Sequence, residues 1–251
     1  MSSSIWTRCA GEAEIGALRL AAWRAAEAQH QISTRKLVDT LEEQAILDQL
    51  IEAAKPPDPA HGRLHGLLSA PFRYPPLRHG SRFGHRHELA IWYGSETRRT
   101  AFAEVAYYRL AFLEGTHADL GTVTTRLVAF TARAHTERGV DLTAPPFHAY
   151  RAAIASPVAY DQTQALGEAM RDAGIELFRY PSARDPEGGV NVGAFSPVVF
   201  EGAQPRDVEA WDCTATRERV ELVKLDYFER TAFTFLRELF LVDGELPALA
   251  L

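Results

Sequence analysis

The stretch from residue 89 to residue 115 constrains the fold more than any other part of the chain. It opens with LAIWY, a compact apolar run of strand-forming residues, followed by Gly-Ser. A helix should then begin at Thr97, a good N-cap, reach Leu113, and stop at Gly115. Glu104 lies off the apolar stripe of this helix, so its carboxylate can point into a cleft instead of the core.

Further strands and helices follow this stretch without a regular β–α–β alternation. The pattern predicts strands at 122–131, 175–180 and 190–195, a hairpin within 207–226, a helix from Asp161 to about Ala173, and a strand or short helix over 228–242. No GxGxxG lies between a strand and a helix, which argues against a Rossmann domain, and a P-loop is equally unsupported. The sequence therefore predicts an α+β fold with a mixed or antiparallel sheet.

The first 58 residues are predicted to be a helical extension. Residues 12–30 carry apolar side chains at helical spacing, and a second helix is predicted over 33–55, with Thr40 and Glu43 in a capping-box arrangement within it. Three prolines in KPPDPAHG, residues 55–62, then make a linker. We therefore predict a helical extension over 1–58, packed back on the chain rather than serving as a partner-binding arm, and a catalytic domain over 59–251.

Composition narrows the classes of function. The formal net charge of −6 argues against a direct nucleic-acid binder or a membrane-surface binder. The two cysteines, Cys9 and Cys213, form no disulfide framework and no zinc spacing. We see no signal peptide and no apolar run of membrane-spanning length, so we expect a cytoplasmic protein. Anion binding in such an acidic chain needs local arginines, and the 73–99 stretch holds six of them.

One group of residues in this region suits the binding and cleavage of a dinucleotide. Tyr93 lies eleven positions after Arg82 and eleven before Glu104, and Arg73 and Tyr74 lie just upstream. Arginines can grip a pyrophosphate, and an aromatic ring can wall off a nicotinamide. A carboxylate can stabilise the positive charge that develops on ribose when the nicotinamide–ribose bond breaks. We therefore expect a pocket for a dianionic dinucleotide, NAD, which is the substrate and not a resident cofactor.

Two segments, GSRFG…AIWYGSET…AFAEV and FRYPSARDPEGGVNVGAF, resemble the RES domain family. The resemblance covers roughly residues 70–200 and implies a fold similar to ADP-ribosyltransferases. It also implies a toxin of a toxin–antitoxin pair that consumes NAD. The family's Arg, Tyr, Glu and Ser match Arg82, Tyr93, Glu104 and Ser182, and its early arginine matches Arg73. Many members have GGRWN where this chain has SRFGH, so Arg86 competes with Arg82 for the arginine role.

The resemblance also implies roles for residues and for a partner. The catalytic set is Arg82, Tyr93 and Glu104, and NAD would be bound by Arg73, Tyr74, Arg82, Tyr93, Ser182 and Asn191. Ser182 would hold a phosphate or a ribose hydroxyl, because no GxSxG motif marks it as a nucleophile. The implied partner is an Xre-type antitoxin that blocks the pocket, and a homo-oligomer is also compatible with the sequence. The acceptor stays open between phosphate, water and a protein side chain.

Two rival functions remain from the sequence alone. A non-enzymatic interaction module could be built from the N-terminal helices and a binding-only domain. A metal hydrolase could use the clustered histidines, since His61 and His65 have i, i+4 spacing and His85 and His87 would share one face of a strand. However, HGRLH lacks the glutamate of HExxH and lies beside the proline-rich linker, so we expect no metal.

Overall fold

Eight strands and six helices lie within the residues that the structure, a computed structural model, describes: 4–28, 38–58, 60, 62–74 and 80–248. The helices are α1 (Ile5–Arg8), α2 (Leu41–Ala54), α3 (Gly66–Arg73), α4 (Arg98–Glu114), α5 (Arg151–Ile154) and α6 (Asp161–Asp172). The strands are β1 (Gly16–Glu27), β2 (Trp92–Ser95), β3 (Val123–Asp141), β4 (Leu177–Pro181), β5 (Val190–Ala194), β6 (Arg206–Ala215), β7 (Arg219–Lys224) and β8 (Ala232–Leu236). Short 3-10 turns cover Gly11–Glu14, Phe147–Tyr150, Pro197–Val199 and Arg237–Phe240.

The strands form one mixed sheet in which β3 connects all parts. β3 pairs antiparallel with β1 over residues 127–139 and with β6 over residues 123–131, and its last three residues run parallel to β4. From β4 the order continues through β5 and β2 and returns to β1. Strands β1, β2, β5, β4 and β3 thus close into a ring, and β6, β7 and β8 extend the sheet on the far side of β3.

Helix α4 covers the extended part of the sheet and fixes the position of Glu104. Its buried side chains, which include Phe102 and Leu110, pack with Trp211 and Leu222 of β6 and β7. Burying each such large apolar side chain contributes about 1.5–3 kcal/mol. Thr97 caps the helix by accepting from the Thr100 N–H. The face of α4 that carries Glu104 is therefore held rigidly beside the strand ring.

The prediction of a helix over residues 12–30 is wrong, because residues 16–27 form strand β1. Alternate side chains of β1 serve two different cores: Leu20 and Ala22 pack in one, and Trp23 and Ala25 in the other. That alternation has the period of a strand. Alanines favour a helix locally, but eleven paired positions along β3 outweigh that preference. Residues 16–27 therefore contribute a strand to the main sheet.

The other predicted elements agree better with the structure. Of the helix predicted over 33–55, the described part begins at Leu41, and residues 29–37 lie outside the described residues. The capping box is confirmed, since the Glu43 N–H donates to Thr40 Oγ1 at 3.1 Å and the Glu43 carboxylate accepts the Thr40 N–H at 3.2 Å. The helix after Thr97, the helix from Asp161 and the hairpin within 207–226 are confirmed.

Two strands have ends that differ from the predicted ones. The segment 228–242, predicted to be a strand or a short helix, contains one of each. The strand expected at residues 89–93 begins only at Trp92, and the strand expected at 122–131 continues to Asp141. The tail forms β8 and then a 3-10 turn. The α+β class with a mixed sheet is confirmed, while the likeness to ADP-ribosyltransferases and the division at residues 58 and 59 stay predictions. Among the described helices, none is both long and apolar enough to cross a membrane.

Candidate functional site

A cavity of about 510 Å³ lies between α4 and the ring of strands. This volume is in the range of small-molecule sites. Its polar lining comes mainly from Ser81, Arg82, Tyr93, Ser95, Glu104, Tyr160, Tyr180 and Asn191. Residues 23–27 of β1 form a further wall, and α4 adds Ala101, Val105, Tyr108, Arg109 and Phe112. Gly94 and Leu127 also line the cavity. The cavity thus brings together four residues that the sequence singled out: Arg82, Tyr93, Glu104 and Asn191.

Glu104 is held by two neutral donors. Its Oε1 accepts from Ser182 Oγ at 2.8 Å and from Asn191 Nδ2 at 2.6 Å. The amide of Asn191 is fixed in turn, because its Oδ1 accepts from Ser95 Oγ at 2.7 Å. Within the described residues, Glu104 has no cationic partner and its Oε2 receives no hydrogen bond. One carboxylate oxygen therefore anchors the side chain, and the negative charge remains available to a ligand in the cavity.

Ser182 positions Glu104 and also closes the loop that follows β4. Its Oγ accepts the N–H groups of Arg184 and Asp185, each at 3.1 Å, while its own proton goes to Glu104. Ser182 is buried and does not line the cavity. The structure therefore places it behind Glu104, in contact with the carboxylate, and its predicted contact with a ligand stays a prediction.

Arg82 is presented by a tight turn from Ser81 to Gly84, which are joined by backbone hydrogen bonds. Helix α6 packs so closely on this turn that a Cβ on Gly167 would lie 1.9 Å from the Phe83 carbonyl oxygen, so only glycine fits there. The Arg82 guanidinium donates to the carbonyl of Ser156 at 2.7 Å and stacks over the Tyr160 ring. Within the described residues it meets no carboxylate, so its charge can serve an anionic ligand.

Tyr93 stands at the base of the same turn. Its hydroxyl bonds with Ser81 Oγ at 2.9 Å and accepts the Phe83 N–H at 3.2 Å. Burial raises the pKa of the Tyr93 phenol to about 12, and it raises the pKa of Tyr180 well above its usual value, with the Glu104 charge adding to the second shift. Both tyrosines are therefore neutral at physiological pH and add no negative charge beside Glu104.

Arg24 is a functional candidate that sequence reasoning missed, because it fell within the wrongly predicted helix. It lines the cavity from β1, donates to the Tyr93 carbonyl and lies 5.5 Å from the centre of the Trp92 ring. Burial lowers its pKa to about 10, which leaves it charged at neutral pH. Within the described part of the chain it has no carboxylate partner. A desolvated arginine without a counter-charge attracts an anion.

Three further residues considered in the sequence analysis, Arg73, Tyr74 and Arg86, do not line the cavity. Arg73 ends α3 and donates from Nε to the carbonyl of Pro56, and Tyr74 follows it with an exposed side chain. Neither residue lines the cavity. Arg86 is exposed and is also absent from the lining, so the structure places Arg82, and not Arg86, at the cavity.

The histidine hypothesis finds little geometric support. His61 and His79 lie outside the described residues. His65 Nδ1 accepts the Leu67 N–H as the cap of α3, and the rings of His85 and His87 stack 5.5 Å apart in a turn instead of a strand. Across the described ranges, no group of three or more His, Cys, Asp or Glu side chains is arranged to hold a metal ion.

Comparison with known proteins finds one matching family model. The family model described as RES domain matches residues 59–216, more than half of the chain. The match contains Arg82, Tyr93, Glu104, Ser182 and Asn191. Strand β1, with Arg24, lies ahead of it. No curated protein matches the chain.

Proposed function

The chain belongs to the RES domain family, and from this premise we propose that it degrades NAD by cleaving the nicotinamide–ribose bond. The observation that carries the proposal is the Glu104 carboxylate, anchored by Ser182 and Asn191 and lacking a counter-charge in the described residues. A fixed negative charge in a cavity of this size suits a reaction in which positive charge develops on the ligand.

The reaction needs little acid catalysis. The nicotinamide nitrogen of NAD is already positively charged, and when the C–N bond breaks it takes the electron pair and leaves as a neutral molecule. Positive charge then passes to the ribose, where the Glu104 carboxylate stabilises it. An acceptor oxygen forms the new bond to the same carbon. When the acceptor is water, it also releases a proton.

Two arginines at the cavity, Arg82 and Arg24, would bind the diphosphate of NAD. Arg82 and Arg24 both line the cavity, and both are connected to Tyr93. Arg82 lies on the turn that the Tyr93 hydroxyl stabilises, and Arg24 donates to the Tyr93 carbonyl. Guanidinium groups bind phosphate oxygens through paired N–H donors. In this proposal Arg24 takes the phosphate-binding role that the sequence assigned to Arg73, because Arg73 does not line the cavity.

The test is product analysis. The purified protein is incubated with NAD, with and without inorganic phosphate, and nicotinamide and the ribosyl products are separated and identified by mass spectrometry. ADP-ribose 1″-phosphate identifies phosphorolysis, ADP-ribose identifies hydrolysis, and a modified protein identifies ADP-ribosyl transfer. Glu104→Gln should release no nicotinamide above background. Glu114→Gln, the same change at the end of the same helix and away from the cavity, should match the wild type. No nicotinamide under any condition would overturn the proposal in favour of a binding module.

A toxin of this kind needs a partner that closes the cavity, and we propose an Xre-type antitoxin for that role. Tyr108 and Phe112 line the cavity and keep 48% and 57% of their surface exposed, so a partner segment could bury them. Such a partner should inhibit nicotinamide release in proportion to its binding. Phe112→Asp should weaken that inhibition while nicotinamide release without the partner continues; equal inhibition of both proteins would contradict this docking position.

A further inference from the structure

The side-chain amide of Asn191 has one partner at each end. Its Nδ2 donates to Glu104 Oε1 at 2.6 Å, and its Oδ1 accepts from Ser95 Oγ at 2.7 Å. An ionised carboxylate only accepts hydrogen bonds, so the amide must turn its NH2 group toward Glu104 and its carbonyl oxygen toward Ser95. The Ser95 hydroxyl is therefore the donor, and the hydrogen bonds run in one direction from Ser95 through Asn191 to Glu104.

The sheet places Ser95 and Asn191 against each other. Ser95 is the last residue of β2 and lies directly opposite Asn191 of β5 in the antiparallel register. On its other side, Ser95 lies opposite Trp23 of β1. Directly opposite residues of an antiparallel pair direct their side chains to the same face, with Cβ atoms about 4.5–5.5 Å apart. Pairing with two strands therefore fixes the backbone from which the Ser95 hydroxyl reaches Asn191.

The orientation of the Asn191 amide depends on this hydroxyl. Ser95 and Asn191 are each only 2% exposed, and among the described residues Ser95 supplies the one hydrogen bond to Asn191 Oδ1. Without that donor a buried carbonyl oxygen is left unsatisfied, which is costly, and the amide can rotate about its broad terminal torsion. The Nδ2 group would then leave Glu104, and only the Ser182 hydroxyl would hold the carboxylate.

We propose that Ser95 is a positioning residue for the cleavage of NAD, which rests on the proposed function, and that it acts on Glu104 through Asn191. A carboxylate stabilises the developing ribosyl charge best when it is held in the productive position, and a misplacement of about 1 Å can cost about a hundredfold in rate. Removal of the Ser95 hydroxyl loosens Glu104 but leaves its charge in place. The loss should therefore be smaller than in Glu104→Gln, and it should appear in kcat and not in KM.

A double-mutant cycle on the purified chain tests this role. Ser95→Ala should lower kcat for nicotinamide release by about tenfold to thirtyfold and leave KM within about twofold of the wild type. Asn191→Ala should lower kcat at least as much. The double variant should match Asn191→Ala within about twofold, because Ser95 then has no amide to orient. Ser69→Ala, which removes another buried serine hydroxyl away from the cavity, is the control and should match the wild type.

Two kinetic results would overturn the proposal. Losses that multiply in the double variant would mean that Ser95 acts independently of Asn191. A raised KM with unchanged kcat in Ser95→Ala would mean that Ser95, which also lines the cavity, contacts NAD directly.

The side-chain amide signal of Asn191 in a 1H–15N NMR spectrum gives a readout that does not require the reaction. Its loss in Asn191→Ala identifies it in the spectrum of the wild type. The signal should shift in Ser95→Ala and stay in place in Ser69→Ala. An unchanged signal in Ser95→Ala would refute the role of Ser95 even where NAD is cleaved, whereas a wild-type chain that releases no nicotinamide would refute the proposed function.

Discussion

Two carboxylates near the same loop, Asp185 and Glu104, have opposite electrostatic environments. Asp185 is buried, forms an ion pair with the Arg99 guanidinium, and accepts from Thr100 Oγ1 at 2.8 Å. Glu104 lies on α4, further along than Arg99 and Thr100, and among the described residues it accepts only from the hydroxyl of Ser182 and the amide of Asn191. The first charge is neutralised within the protein, whereas the second is oriented and left unneutralised.

We interpret this difference as the one between a structural carboxylate, Asp185, and the proposed functional one, Glu104. Asp185 holds the loop after β4 against the first turn of α4, and the fit is close enough that a Cβ on Gly189 would lie 2.2 Å from Thr100 Oγ1. The same loop supplies Ser182, which orients Glu104. The paired carboxylate therefore stabilises the loop that positions the unpaired one. Charges left without a partner are costly and are found preferentially at functional sites.

The largest predicted effect tests the functional side of this comparison. Glu104→Gln removes the charge and keeps the shape, and we expect kcat for nicotinamide release to fall by about a thousandfold, or ~4 kcal/mol of transition-state stabilisation. The free energy of unfolding should change by less than about 1 kcal/mol, because the lost charge had no ionic partner. Steady-state kinetics and urea unfolding measure the two quantities. A variant that retains a tenth or more of the wild-type rate would remove Glu104 from the mechanism.

The second prediction concerns the structural carboxylate. Asp185→Asn leaves the half-buried Arg99 guanidinium without its main counter-charge, and we expect the free energy of unfolding to fall by about 2 kcal/mol. The reaction rate per folded molecule should fall far less than in Glu104→Gln. Urea unfolding is the measurement, and Arg99→Gln combined with Asp185→Asn is the control. The double variant should be less destabilised than the sum of the two single changes; strict additivity would mean that the pair contributes no coupling energy.

Much of this arrangement could be predicted from the sequence, but not the part that depends on long-range pairing. Helix α4 and the exposure of Glu104 on it follow from local signals: a threonine cap, a glycine stop and an apolar stripe. Strand β1 could not be found locally, because its alanines favour a helix and its pairing partner β3 lies about a hundred residues later. Arg24 was missed for that reason.

The position of Arg73 away from the cavity has a related cause. Spacing along the chain indicates which residues share one strand or helix, but it does not indicate which segments meet across a cavity. Ser182 illustrates the same limit, since its sequence context did not indicate that its hydroxyl donates to Glu104. Residues 75–79, which follow Tyr74, lie outside the described residues. Arg82, Tyr93 and Glu104 are described, and for these three the predicted and observed positions can be compared directly.

A third prediction extends the comparison to a cation. Arg24→Met removes a desolvated charge that has no carboxylate partner among the described residues. We expect KM for NAD to rise by about tenfold to thirtyfold, or ~1.5–2 kcal/mol, while kcat changes little. The free energy of unfolding should stay the same or rise, because removal of the desolvated charge offsets the lost bond to the Tyr93 carbonyl. Arg19→Met, an exposed position on the same strand that does not line the cavity, is the control and should leave KM unchanged. An unchanged KM in Arg24→Met would argue that another group binds the diphosphate.

The smallest predicted effect concerns the neutral surroundings of Glu104. Because burial raises the pKa of Tyr93 from about 10 to about 12, the unfolded chain releases this proton before the folded chain does. The free energy of unfolding should therefore fall as the pH rises from 10 to 12. Tyr93→Phe should cost about 1 kcal/mol at pH 7, because the Phe83 N–H loses its acceptor, and the gap to the wild type should narrow above pH 10.

Urea unfolding at pH 7, 9, 10 and 11 measures this gap. Tyr227→Phe is the matched control, because the Tyr227 side chain is 94% exposed, and this change should leave the free energy of unfolding at pH 7 as in the wild type. A Tyr93→Phe gap that widened with pH would mean that the folded protein prefers the ionised phenol. Glu104 would then share its surroundings with a second negative charge, and the contrast with Asp185 would no longer rest on a single unpaired carboxylate.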